Sequence, residues 1–209
     1  MSESEPIVVF ADYVCPFCYL GKQSLETYQE SRDDPLDREW RPFDLRAQKR
    51  DANGDIDHSV DDGKDEDYFD EVRENIARLK EEYGAEEMLG LDETPEVDSL
   101  NAQIASLYVR ETHPDAWADF DDALYEALWE DGRDVGDADV IADVAADVGL
   151  DAADVTDAVA DEDWRAAVFD HFDDAQREGI TGVPTFAYDG YAARGAVPPA
   201  QLERLVEGA

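Results

Sequence analysis

The sequence predicts an α/β fold in which a sheet begins near the N-terminus and is completed near the C-terminus. Three observations support this class. A strand–helix–strand pattern fills about the first 45 residues, apolar residues then recur at helical spacing from about 69 to 172, and a strand–turn–strand pattern starts at Thr185. We therefore expect a helical insertion within one α/β domain rather than two domains in succession.

The N-terminal pattern predicts two parallel strands joined by a helix. Residues 7–11 form an apolar, β-rich run, and residues 19 to about 31 have helical character, with an end expected at Pro35. Residues 38–45 are predicted as the second strand. Pro42 lies within that run and indicates a bulge or the end of the strand. A strand–helix–strand order implies parallel pairing through a right-handed crossover.

The middle of the chain predicts a surface loop followed by a helical region. Residues 46–64 are rich in Asp, Asn, Gly and Lys, which favours a solvated surface loop over one that partly orders above the active site. Gly84 is expected to end the first helix of this middle region. Asp137 and Asp151 are expected to begin two later helices. The apolar stripes of the predicted helices run through Phe69, Val72, Ile76, Leu79, Tyr83; Leu100, Ile104, Leu107; Trp117, Phe120, Leu124, Leu128; Val140, Ile141, Val144; Val155, Val159; and Trp164, Val168, Phe172.

The C-terminal pattern predicts a hairpin and a last helix. Residues 185–188 and 191–196 have strand character, and Asp189-Gly190 between them is a type I′ turn signal. A helix is expected over about 199–206. The hairpin would complete the sheet that begins near residue 7.

Both cysteines of the chain stand three residues apart between the first strand and the first helix. Cys15 and Cys18 would lie on one face of a helix, close enough to form a disulfide. A disulfide that closes such a short loop restricts the unfolded chain very little. The spacing therefore favours redox chemistry over a structural role.

The position of the pair predicts which sulfur attacks. Cys15 would be the N-cap and Pro16 the first helical residue, where a missing N–H does no harm. A thiolate at Cys15 would face unpaired backbone N–H groups and the positive end of the helix dipole. Cys15 is thus the expected nucleophile. Cys18 is expected to be more buried and to resolve the mixed disulfide. Lys22, further along, could supply positive charge near the site, but the prediction is a solvated helix lysine.

The cysteine pair has two alternative uses. One is a structural staple. The other is a zinc site, which needs two further ligands beside the two thiolates. The three histidines, His58, His113 and His171, are scattered singly without ligand spacing. No metal and no cofactor are therefore predicted.

Two motifs carry a family resemblance. Cys-Pro-Phe-Cys-Tyr-Leu-Gly-Lys follows the first strand at residues 15–22, and Gly-Ile-Thr-Gly-Val-Pro-Thr-Phe occupies residues 179–186. In this order they resemble the DsbA family of thioredoxin-fold oxidoreductases, and most closely its cytosolic FrnE-like branch. The resemblance implies a thioredoxin fold with a large all-helical insertion. It implies a discontinuous thioredoxin-like domain, 1–62 and 176–209, and an inserted helical domain, 63–175.

The resemblance also implies the residues around the cysteines. Pro184 would be the cis-proline beside the active site, and the backbone of Val183 would pair with an extended substrate. Pro16 and Phe17, between the two cysteines, are supporting residues of the motif. Asp12 could accept or relay the proton of Cys18 through water, or it could cap the strand end or the helix.

The implied activity is that of a thiol–disulfide oxidoreductase, a protein disulfide oxidoreductase or dithiol–disulfide isomerase. Its substrates would be disulfide-containing proteins or low-molecular-weight thiols, with an unidentified redox partner. The direction of electron flow stays open. One alternative is an enzyme resembling kappa glutathione transferases or 2-hydroxychromene-2-carboxylate isomerases, which commonly carry serine where Cys15 stands. A non-catalytic chaperone-like module on the same fold is another.

Charge limits the partners and the setting. The chain has 55 acidic and 17 basic residues, a net charge of −38, which argues against nucleic-acid binding because phosphates would be repelled. The acids are spread over every segment, which indicates a folded acidic surface and an extreme halophile as the source. No apolar run is long enough to span a membrane. The acidic start of the sequence shows no secretion signal, so a cytoplasmic location is expected.

Overall fold

A computed structural model describes residues 5–34, 36–61 and 63–208. It contains one four-stranded sheet in the order β2-β1-β3-β4 within the described residues. The strands are β1 (Ile7–Ala11), β2 (Arg38–Pro42), β3 (Thr185–Tyr188) and β4 (Tyr191–Arg194). β1 and β2 are parallel, while β1–β3 and β3–β4 are antiparallel. The predicted α/β class is confirmed. The start of the chain at 1–4 and the predicted helix end at Pro35 lie outside the described residues.

The helices of the described residues fall into two groups. α1 (Pro16–Glu30) connects β1 to β2, and α8 (Pro199–Glu207) follows β4. The others lie between β2 and β3 in sequence, as the helical periodicity predicts. They are α2 (Glu66–Tyr83), α3 (Leu100–Thr112), α4 (Pro114–Trp129), α5 (Ala138–Asp147), α6 (Ala152–Val159) and α7 (Glu162–Arg177).

The second strand is shorter than predicted. β2 ends at Pro42, where a residue without an N–H ends the ladder at the edge of the sheet. Phe43 beyond it still donates its N–H to the Ala11 carbonyl at 3.0 Å. At the other edge, Asp189 and Gly190 both have positive φ, 46° and 77°, which confirms the type I′ hairpin turn.

Helix ends follow the predicted capping residues. Asp137 begins α5 and Asp151 begins α6, each accepting a hydrogen bond from a backbone N–H two residues on. Gly84 ends α2 in the left-handed conformation, with φ 69°. These helix ends could be predicted because capping depends on residues that are close in sequence.

Two predictions for residues 46–83 are wrong in part. The stripe of α2 buries Ile76 and Leu79, but Phe69 in its first turn is 40% exposed. The segment 46–64 is not a purely solvated loop, since it contains a short 3-10 helix, Ala47–Lys49. Next to it, the Arg50 side chain is only 6% exposed and pairs with Asp44 and Asp98. Those ion pairs hold the segment against the start of α3.

The core continues from the sheet into the helices. Buried side chains of β1 and α1 belong to the same cluster as those of α3 and α4. The predicted division into 1–62 with 176–209 and 63–175 stays a prediction. None of the helices in the described part of the chain is both long and apolar enough to cross a membrane.

Candidate active site

Cys15 lies at the mouth of α1. It is the N-cap residue, with extended backbone (φ −89°, ψ 112°), and Pro16 follows as the first helical residue. The Cys15 carbonyl accepts the Cys18 N–H at 2.9 Å, which begins the first turn. An N-cap with no hydrogen bond from its own side chain leaves the nearby backbone N–H groups free to face a negative charge.

The loop before β3 contacts the first cysteine. The peptide bond between Val183 and Pro184 is cis, as the resemblance implies. The Cys15 thiol donates to the Val183 carbonyl, with Sγ and oxygen 3.6 Å apart. Residues separated by 168 positions in sequence are thus brought together at the helix mouth.

Gly21 allows this loop to approach α1 closely. A Cβ at position 21 would lie 3.0 Å from Pro184 Cγ and 3.1 Å from Phe186 Cζ. Both distances are shorter than ordinary van der Waals contact. A glycine one turn inside the helix therefore sets how near Pro184 sits to the cysteine pair.

Cys18 is predicted to be more buried than Cys15, but the two cysteines are almost equally buried. Both are free thiols, 3% exposed for Cys15 and 2% for Cys18. The contact of Cys15 with the Val183 loop accounts for its low exposure. Burial raises the pKa of the Cys18 thiol well above its ordinary value, and the adjacent Cys15 raises it further. Cys18 therefore keeps its proton until a base or a local positive charge helps to remove it.

Asp12 is buried beside the pair. Its Oδ1 accepts from the Ser99 hydroxyl and the Val14 N–H, and its Oδ2 accepts from the Leu45 N–H at 2.9 Å. Burial raises the pKa of Asp12 to about 6, because desolvation outweighs these hydrogen bonds. Its backbone carbonyl also accepts the Cys15 N–H at 3.1 Å. The carboxylate thus organises the turn after β1 and lies where it influences Cys18.

The remaining predicted residue, Phe17, lies at the border of the core. Its side chain is partly buried and packs against the core, as do those of Val14 and Val183. These three apolar side chains belong to the segments that carry the cysteines and the cis-proline.

A cluster of charged side chains behind Cys18 was not predicted from the sequence. Lys22 is 8% exposed rather than solvated, and it pairs with Glu26 and Asp122. Asp121 accepts from the Tyr13 hydroxyl at 2.9 Å and pairs with Arg38 at 3.3 Å. The i,i+4 spacing of Cys18 and Lys22 could have placed both on one helix face. Asp121 stands about a hundred residues away, and no local pattern connects it to them.

The described residues contain no group of three or more His, Cys, Asp or Glu side chains arranged to hold a metal ion. Cys15 and Cys18 form a dithiol at a helix N-terminus, and Cys15 contacts the loop that carries the cis peptide bond.

The arrangement of the two cysteines and the cis-proline loop agrees with the protein family that the sequence matches. Residues 6–207 match the DSBA-like thioredoxin domain family. The chain belongs to this family. A curated relative, the uncharacterized protein YwbO of Bacillus subtilis (strain 168), is 26% identical over 204 residues, covering 96% of this chain and 94% of its own.

Solved structures share the fold. A probable DsbA oxidoreductase from Streptomyces coelicolor has a TM-score of 0.70 at 22% identity, covering 97% of this chain and 90% of its own. The cytosolic disulfide reductase DsbM from Pseudomonas aeruginosa has a TM-score of 0.65 at 20% identity, covering 98% and 93%. A 2-hydroxychromene-2-carboxylate isomerase has a TM-score of 0.72 at 19% identity, covering 95% and 93%. At these identities the likeness establishes a DsbA-like thioredoxin fold, as the resemblance implies.

Proposed function

We propose that this protein is a thiol–disulfide oxidoreductase in which Cys15 is the nucleophile and Cys18 the resolving thiol. One observation carries the proposal: Cys15 is the N-cap residue of α1, and its thiol contacts the Val183 carbonyl next to Pro184 and interacts with Cys18. A thiolate at such a position is stabilised by the helix end. Its neighbour is close enough to displace a sulfur that Cys15 has captured.

The proposed reaction has two exchanges. The Cys15 thiolate attacks one sulfur of a substrate disulfide, forms a mixed disulfide, and releases the other substrate sulfur as a thiolate that takes up a proton. Cys18 then loses its proton and attacks Cys15 Sγ. The bond from Cys15 to the substrate breaks, the second substrate thiol leaves, and a Cys15–Cys18 disulfide remains. The dithiol is oxidised by two electrons and the substrate disulfide is reduced; the reverse order oxidises a substrate.

Asp12 is the proposed acceptor of the Cys18 proton. It is buried, it interacts electrostatically with Cys18, and its raised pKa of about 6 suits a base near neutral pH. We further propose that an extended substrate pairs with the Val183 backbone beside Pro184. Phe17 and Pro16 would shape the apolar approach to Cys15.

The finer assignments are proposals of the same kind. We propose a FrnE-like branch, a cytoplasmic location and an extremely halophilic source. The neighbouring DsbM is described as cytosolic, and the net charge of −38 is suited to molar salt. The substrates would be protein disulfides or low-molecular-weight thiols. An unidentified redox partner would supply or accept the electrons.

A second candidate is an isomerase-like enzyme on the same fold. The likeness to the 2-hydroxychromene-2-carboxylate isomerase favours it. The second thiol, at Cys18 and in contact with Cys15, favours the thiol–disulfide oxidoreductase over the isomerase, because an isomerase needs no resolving cysteine.

Two variants test the proposal. Reduction of insulin by dithiothreitol should be accelerated by the protein, and Cys15→Ser should abolish this acceleration. Cys18→Ser should accumulate a mixed disulfide that mass spectrometry detects. Full turnover by Cys15→Ser would contradict the mechanism. Isomerase turnover that survives both substitutions would favour the second candidate.

A further inference from the structure

A small cavity lies directly behind the resolving thiol. Its volume is about 20 Å³, which is enough for one water molecule on the usual threshold of about 10–15 Å³. Residues from β1, α1, β2, β3 and α4 form its wall. They are Val9, Ala11, Cys18, Lys22, Leu25, Arg38, Trp40, Asp121, Tyr125 and Phe186.

The polar part of this wall is rich in hydrogen-bond donors. Lys22 and Arg38 contribute charged N–H groups, and Tyr125 contributes a hydroxyl. Burial raises the pKa of Tyr125 well above its ordinary value, so the hydroxyl keeps its proton. Trp40 contributes an indole N–H that is buried and has no hydrogen-bond partner among the described residues. A buried donor without an acceptor is costly unless an anion or a water molecule meets it.

The acceptor in the wall is already engaged. Asp121 accepts from the Tyr13 hydroxyl and pairs with Arg38, so its carboxylate is held by two partners. Two cations, the buried Lys22 and the partly buried Arg38, thus line the cavity together with one buried carboxylate. Glu26 and Asp122 also pair with Lys22, and Asp122 lies 4.0 Å from Arg38, but these two carboxylates are 42% and 43% exposed, do not line the cavity and are screened by solvent. The wall that faces Cys18 has a net positive charge.

Both cations remain charged at working pH. Burial lowers the pKa of Lys22, but Asp121, Glu26 and Asp122 outweigh that loss and the net effect is a raised pKa. The same holds for Arg38, where Asp121 and Asp122 outweigh burial. Besides these cations, the ionisable groups that interact with Cys18 include Cys15, Asp12 and Tyr125. Of these, Asp12 is the carboxylate proposed above to take the proton.

We propose that this cavity is an anion-stabilising pocket for the thiolate of Cys18, in which Lys22, Arg38 and the donors of Trp40 and Tyr125 favour the charged sulfur. The inference rests on the proposed function, because it concerns the second exchange of that reaction. Its chemistry is that of an oxyanion hole applied to sulfur: donors fixed in advance line a small cavity at the atom where negative charge develops. Lys22 and Arg38 act as positioning residues, since they touch neither the substrate nor Cys15.

The step that the pocket assists conserves atoms and electrons. The Cys18 S–H bond breaks and its proton passes to Asp12. The thiolate electron pair forms the bond to Cys15 Sγ, and the bond from Cys15 to the substrate sulfur breaks with its electrons going to the substrate. The pocket supplies no atoms or electrons. It lowers the free energy of the thiolate before it attacks.

The test separates the two exchanges in one reaction. The reduced protein is mixed with one equivalent of 5,5′-dithiobis(2-nitrobenzoate), and release of the coloured thiolate is followed by stopped flow. The first release reports the attack by Cys15, and the second reports the attack by Cys18. Cys18→Ser should show the first release alone, which assigns the phases.

Lys22→Met should slow the second release and move its pH profile to higher pH, while the first release stays within about twofold of the parent. A rise of one pKa unit in Cys18 cuts the thiolate about tenfold but raises its nucleophilicity about threefold, so we expect a loss of about threefold or more at neutral pH. Lys22→Arg should restore most of the rate, because it keeps the charge.

Matched variants keep the proposal falsifiable. Tyr125→Phe removes a single oxygen and should slow the second release even if Lys22→Met proves unstable. Lys80→Met is the control, because Lys80 donates to the Met88 carbonyl away from the cavity. Second-release rates and pH profiles equal to the parent in both Lys22→Met and Tyr125→Phe would overturn the pocket. Failure of the proposed function would show differently, as a single release in Cys15→Ser that keeps the rate of the parental first release, because Cys18 would then be the attacking thiol.

Discussion

The Tyr13 hydroxyl donates to Asp121 Oδ1 at 2.9 Å and so ties the turn before Cys15 to helix α4, 108 residues further along. A second bond has the same effect, since the Trp129 indole N–H donates to the Tyr13 carbonyl at 2.8 Å. Both bonds are buried. The helices between β2 and β3 therefore help to hold the cysteine turn in place.

Tyr13→Phe should destabilise the protein. The variant leaves the Asp121 carboxylate without its hydroxyl donor, and hydrogen bonds to charged groups contribute about 1.5–3 kcal/mol. Urea unfolding at constant salt should show a loss in this range. Tyr68→Phe is the control, because Tyr68 is 43% exposed. Equal midpoints for Tyr13→Phe and the parent would show that this bond does not secure the turn.

Asp12 should make stability depend on pH between about 4 and 6. Its folded pKa of about 6 exceeds the ordinary value of 3.8, so the native state binds more protons than the unfolded state in that window. The contribution of Asp12 to the free energy of unfolding therefore falls as pH rises through the window, and the full cost is present above it. For about two pKa units this cost is roughly 3 kcal/mol.

The measurement is the difference in unfolding free energy between Asp12→Asn and the parent across pH 4 to 7, at constant salt. Asparagine alters the hydrogen bonds equally at every pH, so only the change of the difference with pH is diagnostic. It should move in favour of the variant as pH rises. Asp33→Asn, at an exposed position, should show no such trend. A flat difference for Asp12→Asn would contradict the raised pKa.

Ser99 should tune the same carboxylate. Its hydroxyl donates to Asp12 Oδ1, and this bond lowers the pKa of Asp12. Ser99→Ala should therefore raise that pKa and move the pH profile of the Cys18 exchange upward. Ser106→Ala is a matched control on the same helix, since Ser106 is equally buried but accepts from Trp117. If both variants gave the parental profile, Ser99 would have no part in the proton step.

Local chemistry made much of this protein predictable from sequence. The helix mouth at Cys15, the caps at Asp137 and Asp151, and the Asp189-Gly190 turn depend on near neighbours, and all were predicted. The cluster behind Cys18 was not. In the sequence, Lys22 has the pattern of a surface lysine. Only tertiary packing places Asp121 and Asp122 of α4 near its side chain.

Gly21→Ala should disturb the approach of the cis-proline loop to α1. The added Cβ would lie 3.0 Å from Pro184 and 3.1 Å from Phe186, so the loop must shift by a few tenths of an ångström. Overpacking of this kind costs about 1–3 kcal/mol, and it should also slow the first exchange by changing the Cys15–Val183 contact. Unfolding and the first release measure the two effects. Gly182→Ala, with no atom within 4 Å of its Cβ position, should be close to neutral in stability.

The acidic surface should make folding depend on salt. A net charge of −38 on a folded chain of this size gives strong self-repulsion, which molar salt screens because the Debye length falls from about 10 Å at 0.1 M to about 3 Å at 1 M. The thermal midpoint should therefore rise steeply between 0.1 M and several molar KCl. Sucrose at matched osmolality is the control, since it favours compact states without screening charge. A midpoint that rises equally with sucrose and with KCl, or that does not move with KCl, would exclude charge repulsion as the cause.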